Sequence, residues 1–116
     1  MALITEKAHF VGLDGALGDI RDKGLFPTTY ATEKATAASL HWHSEDVFAY
    51  LIQGNIYFLD GEGKKHWLEA GDLMTVPART LHAEGDINEP VVMLIGLNEA
   101  LPMDRFLLPH DPAELG

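Results

Sequence analysis

From Ala38 onward the chain runs in short apolar bursts separated by turn-forming residues. The segments "ASLHWH", "VFAYLIQG", "NIYFLDG", "KKHWLEAG", "LMTVPA" and "PVVMLIGL" are rich in β-branched, aromatic and aliphatic residues, with Gly, Pro or Asp-Gly as punctuation. Their spacing predicts an all-β fold, a closed or sandwiched antiparallel architecture. The clearest hairpin is "LDGEGKK", where Gly61 and Gly63 can take the positive φ of a tight turn. Gly71-Asp72 then turns the chain into a buried strand that ends at Pro77. Helix signal is weak throughout. Residues 1–34, with Gly12, Gly15, Gly18 and Gly24, predict an irregular lead-in that ends in one outer strand. Residues 35–97 hold the predicted strands, and 98–116, with three prolines, predict turns or a short helix lying across the surface. All three stretches belong to one domain.

The 116 residues are 47% hydrophobic, enough to bury one core without covalent staples. Cysteine is absent, which removes disulfides, thiolate metal sites and cysteine nucleophiles and fits a reducing compartment. The start "MALITEKAHFVGLDG" lacks the basic region and apolar core of a signal peptide, and no apolar run approaches a membrane span. A cytoplasmic protein without a membrane partner is the expectation. Eighteen acids against eight bases give a net charge of −10, so nucleic acid is not an expected partner.

Two of the six histidines stand one residue apart in "HWHSEDVFAYLIQG". On a strand, alternation sends His41 and His43 to one face and Trp42 to the other. Two imidazoles on one face supply adjacent positions of a metal polyhedron and need a third ligand from elsewhere. The same pair is compatible with solvent-facing histidines on an edge strand or with a hydrogen-bonded core histidine. His82, in "GDLMTVPARTLHAEGD", is the candidate third ligand: it opens the strand after a proline-initiated turn, and antiparallel pairing can bring it beside the first pair. It could equally cap a strand end through its ring N–H.

These residues resemble the two motifs of the cupins, small β-barrels that usually carry a metal site. The first family motif runs Gly, five residues, His-x-His, three or four residues, Glu, six residues, Gly; His41, His43 and Gly54 match it. The second runs Gly, five residues, Pro-x-Gly, two residues, His, three residues, Asn; Gly71, Pro77 and His82 match it. The resemblance spans roughly residues 35 to 97 and implies a double-stranded β-helix, a jelly-roll barrel. Four positions depart from it: Ala35 and Val47 replace the first motif's opening Gly and its metal-binding Glu, and Arg79 and Asp86 replace a Gly and the Asn of the second. With the family carboxylate missing, Asp46, Glu45 or water completes the site. A further resemblance, of "HSEDVFAYLIQGNIYFLDG" to the dihydroxyacetophenone dioxygenase type of cupin, makes Val47 an expected residue and Asp60 an acid near the site. Asp60 also begins an Asp-Gly turn, where aspartate is favoured for local hydrogen bonding alone.

A thiolate-free set of imidazoles with open positions suits one divalent transition metal, Fe foremost, with Zn, Ni, Mn or Cu also compatible. The implied function is a metal-dependent enzyme on a small organic substrate such as a diketone or hydroxylated aromatic, an Fe-type dioxygenase in the first instance. A metal-dependent isomerase or lyase, and a non-catalytic sensor barrel, are the alternatives. Tyr50 is a candidate proton donor, and Arg79 a candidate for orienting a carboxylate or phenolate by a bidentate contact. Of Trp42, Phe48, Tyr50, Tyr57, Phe58 and Trp67, at most half are expected to touch the site, because strand aromatics mostly build the core. His9, His66 and His110 lie outside both motifs and read as surface residues. An open sheet edge needs covering, so a homodimer is the expected assembly.

Overall fold

Residues 2–102 and 104–115 are described by the structure, a computed structural model. The elements follow in the order β1 (Ile4–Glu6), α1 (Gly12–Lys23), β2 (Phe26–Thr32), β3 (Val47–Gln53), β4 (Asn55–Asp60), β5 (Lys65–Glu69), β6 (Leu73–Val76), β7 (His82–Glu84) and β8 (Val91–Leu97), with a 3-10 turn at Pro112–Leu115. They build two antiparallel sheets, ordered β1-β6-β3-β8-β2 and β5-β4-β7. The apolar bursts from Val47 to Leu97 become strands, and the result is the all-β antiparallel architecture that the spacing predicts, in the jelly-roll form that the resemblance implies.

The alternation along β3 shows how the layers are arranged. Val47, Ala49 and Leu51 enter the core shared by the two sheets, where they meet Ile56 and Phe58 of β4, Met74 and Val76 of β6, and Met93 and Ile95 of β8. Tyr50, on the opposite face, belongs to a second cluster with Phe10, Ala16, Ile20, Leu25, Leu73 and Leu94, against which Phe48 and Ile52 pack. Both faces of β3 are therefore covered, one by the second sheet and the other by α1.

That helix corrects the expectation of an irregular lead-in. Gly15 and Gly18 inside "GLDGALGDIRDK" each cost a helix roughly 0.5–1 kcal/mol, which is why the local signal is weak. Ala16 and Ile20, four residues apart on one face, are buried against the outer face of the larger sheet. Burying a side chain such as Ile20 contributes roughly 2 kcal/mol. Tertiary packing thus outweighs local propensity. Gly24 ends the helix at φ 70°, donating its N–H to the Arg21 and Ile20 carbonyls.

Two further contacts close the barrel. Gly54 turns β3 into β4 at φ +88°, and a Cβ there would lie 2.4 Å from the Pro90 carbonyl oxygen, so glycine is required. The Asp72 carboxylate, buried between β5 and β6, accepts from Lys7 Nζ (2.6 Å), Ala8 N–H (2.8 Å) and Glu69 N–H (2.9 Å). It ties the end of β1 to the rest of the sheet.

The segment "ASLHWH" is not a continuous strand. Ala35 bridges to Ile87, His41 to His82 and Trp42 to His110, each as a single antiparallel pair. The last residues form turns and a short 3-10 helix that are mostly exposed, and the His110 bridge to Trp42 holds this segment against the histidine-bearing stretch.

Candidate metal centre

His41 and His43 reach the open end of the barrel on this bridged segment, and alternation holds locally. Their rings are 5.0 Å apart, while Trp42 turns away and stacks on His110 at 4.3 Å. His82 is the first residue of β7, and its exchange of backbone hydrogen bonds with His41, both 2.9 Å, fixes the register between them. Its ring is 4.5 Å from that of His41 and 5.0 Å from that of His43. One nitrogen from each of the three rings lies within 4.8 Å of the others.

The hydrogen bonds identify which nitrogen that is. His41 Nδ1 is 2.7 Å from the Ser39 carbonyl, His43 Nδ1 3.0 Å from that of Leu108, and His82 Nδ1 2.9 Å from that of Thr80. A carbonyl only accepts, so every Nδ1 carries the proton and donates. In the neutral ring this leaves each Nε2 with a free lone pair, the arrangement in which imidazoles ligate metals. Burial depresses the pKa of His43, only partly opposed by the Leu108 carbonyl, and burial holds His82 down at about 4. Near pH 7 both rings are neutral.

The histidines stand at the wall of a cavity of about 710 Å³. Val47, Ala49, Phe58, Val76, Met93 and Ile95 form its apolar lining. Neither lysine nor arginine is among the described residues that line it. Leu107, Pro109 and His110 of the last segment complete the wall, and Leu108 holds His43 through its carbonyl.

Several residues singled out in the sequence are placed elsewhere. The Asp46 carboxylate accepts from the Ala78 N–H at 2.7 Å, and together with Glu45 it lines a separate small surface depression. Neither acid joins the histidine cluster. Tyr50 lies on the helix side of β3, fully buried, and donates to Asp19 at 2.6 Å. Burial and that carboxylate together push its pKa upward, so it is no proton donor to the cavity.

Asp60 closes its own turn, accepting from the Glu62 and Lys64 N–H groups at 2.9 and 3.0 Å and contacting His66 Nε2 at 2.9 Å. The His66 contact, then the Lys64 N–H, lower its pKa to about 2. Local turn chemistry explains this acid without any role at the site. Arg79 takes φ +66°, the conformation that explains a glycine at this position of the motif. Its guanidinium stands 5.0 Å over the Trp42 ring and donates to the Leu115 carbonyl at 3.1 Å, outside the cavity. Of the six strand aromatics, only Phe58 lines the cavity. His110, read as a surface residue, lines it too.

Two residues without an assigned role in the sequence reading line the same cavity as the histidines. Tyr30 of β2 lines the cavity, and burial together with the charge of Glu84 raises its pKa. Glu84 lies two positions beyond His82 on β7, and its Oε2 is 3.5 Å from His41 Nε2. The signal for Glu84 is the same alternation that pairs His41 with His43, since "HAE" sets His82 and Glu84 on one face.

Comparison with known proteins agrees with this architecture. The Cupin domain family matches residues 29–95, and the chain belongs to that family. Among solved structures, a DUF861 family protein from Thermotoga maritima superposes with a TM-score of 0.59 at 20% identity, covering 83% of this chain and 99% of that one. The DMSP lyase DddQ from Ruegeria pomeroyi gives 0.58 at 19% identity, covering 69% of this chain and 41% of the lyase. RmlC from Streptococcus suis, solved with dTDP-D-xylose, gives 0.54 at 15% identity, covering 73% and 49%. At these identities the likeness defines the fold alone. No curated protein matches the chain by sequence.

Proposed function

We propose that this cupin is a metal-dependent enzyme acting on a small, uncharged organic substrate, with Fe-type dioxygenation of a diketone or hydroxylated aromatic as the first reaction to test. The observation that carries the reading is the set of three imidazoles, each with Nδ1–H donated to a backbone carbonyl and Nε2 free beside the others. A chain that only packed its histidines would have no reason to leave three unpartnered acceptors, two of them on buried residues, facing one point. The donor set fits a divalent transition metal: neutral nitrogens, no thiolate, and open positions for water or substrate. When bound, such a metal polarises a substrate oxygen and, as Fe(II), supplies the electron exchange with O2 that oxygenation requires.

The protein's own residues do the rest. His41, His43 and His82 hold the metal, and the Ser39, Leu108 and Thr80 carbonyls keep their rings oriented. The apolar lining excludes water and accepts a hydrocarbon body, while the lack of cationic lining residues disfavours phosphorylated substrates. Besides the three histidines, Tyr30, Glu84, His110 and Asp111 are the cavity-lining side chains that can place or hold a proton. Lyase or isomerase chemistry uses the same polarisation without O2, and the DMSP lyase neighbour keeps it as the second reading.

The test is metal analysis of untagged protein purified without chelators, beside His82→Ala, followed by oxygen uptake with 1,3-diketones and dihydroxylated aromatics. About one equivalent of iron, lost in the variant, with substrate-dependent oxygen uptake supports the proposal. Zinc or nickel at that stoichiometry with no oxygen uptake moves the function to the lyase or isomerase reading. No metal in either protein after reconstitution refutes both.

A further inference from the structure

Among the described residues only two buried side-chain oxygens lack a hydrogen-bond partner, Thr80 Oγ1 and Glu84 Oε2. The second is the one with consequences. The Glu84 side chain is 31% exposed as a whole, yet Oε2 itself is shut away from solvent and faces His41 Nε2 at 3.5 Å. With His41 Nδ1–H donated to Ser39, both facing atoms are acceptors in the neutral ring. Two acceptors in this position repel unless a cation, or a proton on His41, lies between them.

The position on β7 adds an independent constraint. His82 and Glu84 project to one face as His41 and His43 do, and the antiparallel His41–His82 bridge sets Glu84 beside His41 on the side away from His43. Val47, where the family's first motif carries its carboxylate, contributes only methyl groups to the cavity wall. Asp46 is occupied by the Ala78 N–H. Glu84 lies outside the 4.8 Å histidine cluster itself, but it lines the cavity and sets a partnerless Oε2 3.5 Å from His41 Nε2.

Resting on the metal-centre reading above, we propose that Glu84 is the carboxylate ligand of this site, supplied from β7 after the second-motif histidine in place of the first-motif position held by Val47. A three-histidine, one-carboxylate set results, with one negative charge placed on the β7 side. It would bind harder divalent ions better than three imidazoles alone.

Full-length protein stripped of metal is titrated with Co(II) alone, by calorimetry and visible absorption, in wild type, Glu84→Gln and His82→Ala. Thermal unfolding is recorded with and without Co(II). Wild type is expected to bind one equivalent, and Glu84→Gln to bind at least about tenfold more weakly with altered visible bands. Metal-free Glu84→Gln should unfold at or above the wild-type temperature, because the substitution removes an unpartnered buried charge. Wild-type affinity and spectrum in Glu84→Gln, with weakened binding in His82→Ala, overturn this proposal while leaving the metal centre standing. Unchanged affinity together with a lower metal-free melting temperature assigns Glu84 to an ion pair with protonated His41 and also overturns it. Co(II) ignored by wild type and variants alike overturns the metal centre itself. Glu84→Ala gives the same readings if the Gln variant does not accumulate.

Discussion

Asp72→Asn is the substitution whose cost the hydrogen bonds define most directly. The carboxylate accepts from Lys7 Nζ and Glu69 N–H on one oxygen and from Ala8 N–H on the other. Asparagine offers one acceptor oxygen, so one buried backbone N–H is left facing an amide NH2. An orphaned buried donor costs roughly 1–3 kcal/mol. Lys7 is 56% exposed, and its ion pair adds at most about 1 kcal/mol. The variant should lose about 1–4 kcal/mol at pH 7, which for a domain of this size lowers Tm by roughly 10 °C at the middle of that range. The loss also depends on pH. Burial alone would raise the Asp72 pKa, but Lys7 and the two N–H groups outweigh it and hold the value below the ordinary carboxylate range. With the folded pKa below the unfolded one, the carboxylate's contribution is complete above about pH 5 and is lost as pH falls through the folded value. Urea melts followed by circular dichroism at a series of pH values from neutral to strongly acidic should show the gap between wild type and variant closing in the acid range. A variant within about 0.5 kcal/mol of wild type at pH 7, or a gap constant down to the acid limit, would refute the reasoning.

Tyr50→Phe removes a hydrogen bond to Asp19 on the helix side of β3, so it should cost about 1 kcal/mol of stability and leave metal affinity unchanged. A change in metal affinity would place Tyr50 at the site after all. The larger sheet ends on β1 and β2, where Ile4 is 49% and Phe26 51% exposed, and a homodimer covering one of these edges is expected. Sizing with light scattering checks this, and monomer mass at high concentration excludes it.

Most of the barrel could be read from residue order because its strands are bounded by glycines and prolines whose turns are local. The hairpin at Asp60 and the strand ending at Pro77 are of this kind. Helix α1 could not, since its glycines hide a segment that only the outer face of the sheet makes stable. The three histidines were legible through spacing, and Glu84 would have been through the same alternation. Tyr50 was set at the site because β3 is apolar on both faces, and parity alone does not say which face meets the cavity. Asp46 was plausible until the Ala78 N–H, thirty-two residues away, is seen to occupy it. The role of the last segment depends on a carbonyl, Leu108, and no side-chain pattern encodes which backbone oxygen will meet His43.

The double covering of β3 also means that neighbouring residues on one strand report on different properties. Conservative substitutions at Val47 and Ala49 alter the wall against which a ligand rests, whereas those at Phe48 and Tyr50 loosen the helix from its support. A library scanned along this strand should therefore change selectivity only at Val47 and Ala49, with some loss of thermal tolerance because both also belong to the core, and at Phe48 and Tyr50 change thermal tolerance alone. On this seven-residue strand, what the barrel accepts and how firmly it holds together are coupled on one face and separate on the other.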